Sequence, residues 1–163
     1  MTPKAIGAAA VALAIGLGAL VWWDAQVRVS PAPPVPDLNA PDRIAFGRVV
    51  YFQHCASCHG QQLEGQPKWR DRLPNGRLPA PPHDDSGHTW HHTSEVLFSM
   101  TKHGLVPPLA PPGYQSDMPA FADRLSDDDI WNVLAYIRSR WSERVRAGHD
   151  ELERQHAAQG RGT

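Results

Sequence analysis

A chain of 163 residues is long enough for one domain with appendages. Its 16 basic and 17 acidic residues nearly cancel, so the strong one-signed field of a nucleic-acid binder is absent and no nucleic-acid partner is expected. Sixteen prolines and thirteen glycines beside a moderate aliphatic content point to a small, loop-rich domain whose core is completed by something other than side chains, as a staple or metal often does for small domains.

In chain order, Ala5 to Trp23 carries no charge and is dense in Ala, Val, Leu, Ile and Gly. That is close to the length one helix needs to cross the hydrocarbon layer. Trp22 and Trp23 close it where indole rings favour the interface. The rival is a cleaved signal peptide, but Val21-Trp22-Trp23-Asp24 lacks the small residues of a cleavage site. Residues 1–29 are therefore expected to form an uncleaved transmembrane anchor. Lys4 and Arg28 flank the segment and barely set its orientation.

Residues 30–41, SPAPPVPDLNAP, read as a semi-rigid, extended linker. Asp42 to Cys55 follows as the first helix of a domain spanning 42–141, with Asp42 as cap or first-turn acid. Its apolar face is expected to be Ile44, Phe46, Val49, Val50 and Phe52, with Gly47 and Tyr51 one turn apart. Gly47 either permits a close helix crossing or is a tolerated surface glycine that costs about 1 kcal/mol against alanine.

Cys55-Ala56-Ser57-Cys58-His59 holds both cysteines of the chain, with a histidine directly after the second. Cys-x-x-Cys-His is the attachment signature of c-type haem: each thiol adds across a vinyl group, and the histidine reaches the iron. A redox dithiol would sit near a βαβ pattern, which is missing. A structural zinc needs four ligands, and a disulfide leaves the histidine unexplained. One covalent haem c is expected.

From Gln61 to His103 the chain is punctuated by Gly65, Pro67, Pro74, Asn75-Gly76, Pro79, Pro81 and Pro82, the marks of turns and loop. Lys68, Arg70, Arg72 and Arg77 form a basic cluster that could receive an acidic partner or a propionate, or be solvated. A short helix is expected over Glu95 to Lys102, buried through Val96, Leu97 and Met100 and stopped by Gly104. After another Pro- and Gly-rich stretch, Ser126 and the acids Asp127, Asp128 and Asp129 give a strong helix start. Ile130, Val133, Leu134, Ile137 and Trp141 continue it at helical spacing. Residues 142–163 read as a polar tail, either a frayed helical extension or disordered.

An electron-transfer haem needs a second axial ligand. Met1 is the initiator and Met100 falls on an expected core stripe, which leaves Met118, in a loop and followed by Pro119. Its thioether would favour the reduced iron and raise the potential relative to two histidines. Residues 42–141 resemble a class I cytochrome c domain through Gly47, Tyr51, Cys55-x-x-Cys58-His59, Met118-Pro119 and the terminal helix with Val133 and Tyr136. The resemblance implies an all-α domain wrapped around a covalent haem. In it the first and last helices cross at nearly a right angle, with Gly47 against Tyr136. It implies Cys55 and Cys58 as thioether residues and His59 and Met118 as axial ligands, with assembly outside the cytoplasmic membrane. The proline whose carbonyl orients His59 is Pro79, Pro81 or Pro82.

The expected role is one-electron transfer without an enzymatic active site, by a single-pass inner-membrane protein with its haem domain in the periplasm. A respiratory complex or terminal oxidase and a periplasmic donor would be its partners. The alternatives are a haem subunit of a larger dehydrogenase, or a haem- or copper-based sensor or metal-handling protein. The last would use His83, His88, His91, His92 and His103, a set that could hold copper or zinc or be a polar loop over the haem edge with Trp90 on a propionate.

Overall fold

The computed structural model describes residues 31–160, so the expected anchor at 1–29 lies outside the described residues. Those described are helical and loop, with no strand. None of their helices is long and apolar enough to cross a membrane.

Helix α1 spans Pro41–His54. Pro41 opens it, a position where the missing N–H costs nothing and the fixed φ is already helical. Asp42 lies in the first turn, and Ala40 provides no side-chain cap. The residues that bury are Gly47, Val50 and Tyr51. Phe46, Val49 and Phe52 are exposed, which corrects the expected apolar face. The close crossing selects the side with the glycine, and the more numerous apolar residues are left on the other.

The partner in that crossing is α4, Asp127–Ser139. Its start is a complete capping box: Ser126 Oγ accepts from Asp129 N at 3.1 Å, and Asp129 Oδ2 accepts from Ser126 N at 3.0 Å. A methyl group on Gly47 would lie 1.8 Å from the Asn132 carbonyl oxygen and 3.0 Å from Tyr136 Cβ. Glycine is therefore needed for the two backbones to touch. Around the contact, Tyr51 and Tyr136 rings lie 5.4 Å apart, and Arg43 donates to Asn132 Oδ1 at 2.9 Å. Ile130, Val133, Leu134 and Ile137 are all buried as the helical spacing predicts.

Helix α3, Ser94–His103, is capped by the Thr93 hydroxyl and closed by Gly104 at φ +78°. It buries Phe98, Ser99 and Thr101, while Val96, Leu97 and Met100 are half-covered. This corrects the expected stripe by a fraction of a turn. The cause is Phe98, which stacks on Trp131 of α4 at 4.5 Å and takes the deepest place in the face.

Of the two readings of residues 142–163, a frayed helical extension or a disordered tail, the helical one fits: Glu143–Gly160 form helix α5. Its packing relies mainly on polar contacts. Ser142 N donates to Asp85 Oδ1 at 3.0 Å at its start, and Val145 and His149 are buried. His149 Nε2 donates to the His92 carbonyl at 3.1 Å, and Glu153 accepts from Ser94 N at 2.6 Å. Arg138 in α4, itself buried, reaches Asp150 Oδ1 at 2.6 Å and Asn39 Oδ1 at 2.6 Å. The proline-rich linker thus packs on the domain near both its ends: Leu38 joins the core and Ala32 packs against it.

Candidate functional site

Cys55 ends α1, donating its N–H to Tyr51 O at 2.8 Å, and a one-turn helix α2, Ala56–His59, follows at once. Gly60, at φ +83°, turns the chain away, and its carbonyl accepts from the Tyr51 hydroxyl at 2.8 Å. This short helix sets Cys55, Cys58 and His59 within one turn. Both thiols are free; Cys58 is exposed and Cys55 half-buried. Burial, reinforced by the neighbouring Cys58, pushes the Cys55 thiol up to about 11, so it is a neutral thiol at physiological pH.

His59 is 7 % exposed. Its Nδ1 lies 2.8 Å from the Pro81 carbonyl oxygen. A carbonyl only accepts, so Nδ1 carries the proton and Nε2 keeps the lone pair a metal needs. Burial holds the imidazole below its ordinary pKa, against an opposing effect of the Pro81 hydrogen bond, which keeps the ring neutral. Of the three candidate prolines it is Pro81 that faces His59. The loop arrives there because His83 N donates to Leu63 O at 2.7 Å and Gln66 N to Ala80 O at 2.9 Å. Leu63 sits at φ +69° with its side chain 1 % exposed, a left-handed backbone tolerated where the surroundings over-determine it.

Met118 is half-buried and packs, with Cys55, Trp90 and Leu97, against the same core. Its loop is tied on both sides. Met118 N donates to Ser116 Oγ at 3.0 Å, and Asp117 pairs with Arg77. Phe121 N and Ala122 N donate to the carbonyls of Thr101 and Lys102 at the end of α3.

Two orphaned polar atoms test whether these residues fit a haem. They are Trp90 Nε1 and Arg77 Nε, two of five side-chain polar atoms that are buried with no hydrogen-bond partner among the described residues. Buried donors without acceptors are rare and costly, and a propionate is the acceptor that a haem brings. Two free thiols, a metal-ready histidine, a thioether and two waiting donors form a donor set that fits haem c. The sequence marks both residues as candidates to meet a propionate, Trp90 in the histidine loop and Arg77 in the basic cluster; the fold adds that Trp90 Nε1 and Arg77 Nε are buried without partners.

Of the loop histidines, His88 and His92 stand edge to face at 5.6 Å. Among the described residues no group of three His, Cys, Asp or Glu side chains is placed to hold a metal ion. His88 stacks on Trp69 at 5.4 Å, His91 on Trp90 at 3.7 Å, and His83 on His59 at 3.9 Å. Imidazole–aromatic packing accounts for much of this histidine-rich composition.

A family described as Cytochrome c matches residues 44–141. Over 126 residues the chain is also 26% identical to a quinohemoprotein alcohol dehydrogenase, ADH IIB, of Pseudomonas putida. That match covers 74% of this chain but only 15% of the relative.

Proposed function

The chain belongs to the cytochrome c family and carries covalent haem c, and from that premise we propose a His/Met-ligated carrier of single electrons on the periplasmic face of the inner membrane. Electron transfer is the family's chemistry; the ligands, the anchoring at residues 1–29 and the respiratory partners are our reading. Cys55 and Cys58 would hold the haem by thioethers, with His59 and Met118 as axial ligands. When bound, the haem supplies an iron that alternates between ferrous and ferric states. The remaining work falls to the polypeptide. Pro81 fixes the tautomer and direction of His59, the ties on either side of Met118 hold the thioether loop, and Trp90 and Arg77 offer donors to carboxylates. If His59 and Met118 both held the iron, no position would be left for substrate, and the group would supply electron transfer alone.

The single observation that carries this reading is the 2.8 Å contact between His59 Nδ1 and the Pro81 oxygen, which supports it by leaving Nε2 unprotonated and able to serve as a ligand. Replacement Met118→Ala tests it. The ferric protein should lose the weak near-infrared sulfur-to-iron band, and the midpoint potential should fall. Survival of the band would remove Met118 from the iron.

A second reading is favoured by the relative. Its name pairs a haem with an alcohol dehydrogenase, and this chain matches only a small part of its length. The chain would then serve as the haem-bearing electron acceptor of a larger dehydrogenase. Purification from detergent-solubilised membranes separates the two: a stoichiometric quinoprotein partner favours the dehydrogenase assembly, and isolation with an oxidase or respiratory complex favours the free carrier.

A further inference from the structure

His83 has no place in the ligand set above, yet it is the side chain most intimately joined to His59. The two imidazole rings are stacked with centroids 3.9 Å apart and planes 21° from parallel. His83 is itself held at several points. Its Nδ1 lies 2.8 Å from Thr89 Oγ1, and that buried hydroxyl lies 3.4 Å from the Pro82 carbonyl oxygen. The hydroxyl and the imidazole share a hydrogen bond, with the His83 tautomer setting which of the two donates. The backbone on either side of the ring is equally fixed: His83 N donates to Leu63 O at 2.7 Å, and Trp141 Nε1 donates to His83 O at 2.8 Å. Ring and backbone are thus clamped by three separate parts of the chain.

We propose that His83 is a positioning residue for the haem ligand, setting the plane of the His59 ring and lowering the potential of the iron by stacking on it. The proposal rests on His59 being the axial ligand. The Pro81 carbonyl fixes the direction in which His59 Nδ1–H points, but one hydrogen bond leaves the ring free to rock about that line. A flat, clamped ring against its face removes this freedom. The electronic effect follows from the same contact. A ligating imidazole shares part of the positive charge of ferric iron, and the face of a neighbouring neutral π system attracts positive charge. Stacking therefore favours the ferric state over the ferrous state, and an aliphatic residue of similar size would favour it less.

The test uses the haem-loaded full chain with two substitutions. His83→Leu keeps most of the volume but removes the π face, whereas His83→Phe keeps a face and removes the bond to Thr89. Two quantities are read: the midpoint potential, and the paramagnetically shifted haem-methyl NMR resonances of the ferric protein, whose spread and order report the ligand-plane orientation. His83→Leu should raise the potential and rearrange the methyl pattern, with the low-spin spectrum retained. His83→Phe should remain close to the parent in both. Equal shifts in the two variants, or no shift in His83→Leu, overturn the proposal while leaving His59 as ligand. Loss of the low-spin spectrum in both variants would instead overturn the ligand assignment itself, since neither leucine nor phenylalanine can replace an imidazole on the iron.

Discussion

Gly47→Ala separates two physical effects of opposite sign. On an isolated or exposed helix the change should stabilise α1 by up to about 1 kcal/mol, because alanine loses less backbone freedom on folding. In the crossing, the added methyl would sit 1.8 Å from the Asn132 carbonyl oxygen and 2.4 Å from its carbon. Ordinary contact begins near 3.4 Å, and the obstructing atoms belong to backbone in the middle of α4, with no rotamer to change. The helices must part by roughly 1.6 Å at this point, the difference between those two distances. That loosens the Tyr51–Tyr136 packing and stretches the Arg43–Asn132 bond. Overpacking costs about 1–3 kcal/mol, occasionally more, and a clash this deep with backbone belongs at the upper end, so a net loss of about 2 kcal/mol remains once the helix gain is set against it. For a domain of this size, that is a fall in Tm on the order of 10 °C. Denaturant unfolding of the haem-loaded protein, followed by far-UV circular dichroism, measures it. A variant as stable as the parent, or more so, would show that the crossing is not closed at Gly47.

Two further outcomes are expected. Arg138→Met should cost roughly 1–3 kcal/mol, since charge-assisted bonds to Asn39 and to the half-exposed Asp150 are both lost. Hydrogen exchange should rise together in residues 37–40 and in α5, and protection unchanged in either would break the argument. Burial, aided by Arg138 and opposed by Glu153, the His92 carbonyl and Asp150, holds His149 below its ordinary pKa. The unfolded chain then takes up the proton first, so this contribution to stability is present above about pH 6.5 and is lost as pH falls through that value. His149→Gln should flatten the stability–pH curve between about pH 7 and 5 relative to the parent; two parallel curves would exclude His149 as the source.

How much was legible depended on the kind of force involved. Covalent attachment demands residues adjacent in sequence, so Cys55, Cys58 and His59 stand out at once. Asp127 to Asp129 after Ser126 are equally local, because capping and dipole effects act within one turn. The buried side of α1 was misread because Phe46, Val49 and Phe52 outnumber Val50 and Tyr51 in apolar area, and the helix is oriented by a residue with no side chain. Helix α5 was read as a frayed extension or disordered because its docking relies on His149, Glu153 and Asp150, residues that sequence patterning assigns to solvent. The orienting proline could not be chosen among Pro79, Pro81 and Pro82, since the choice depends on where Leu63 and Gln66 pin the loop. The stack of His83 on His59 joins residues 24 positions apart through that same loop path.

The double grip of Arg138 on Asn39 and Asp150 also determines where mechanical load enters the molecule. A pull applied at Pro31 would be met by Ala32 and Leu38 at the core and by Asn39, which Arg138 ties to α4 and, through Asp150, to α5. Asn39 and Asp150, 111 residues apart, are thereby coupled through a single buried guanidinium, so that loosening either end of the described chain loosens the other.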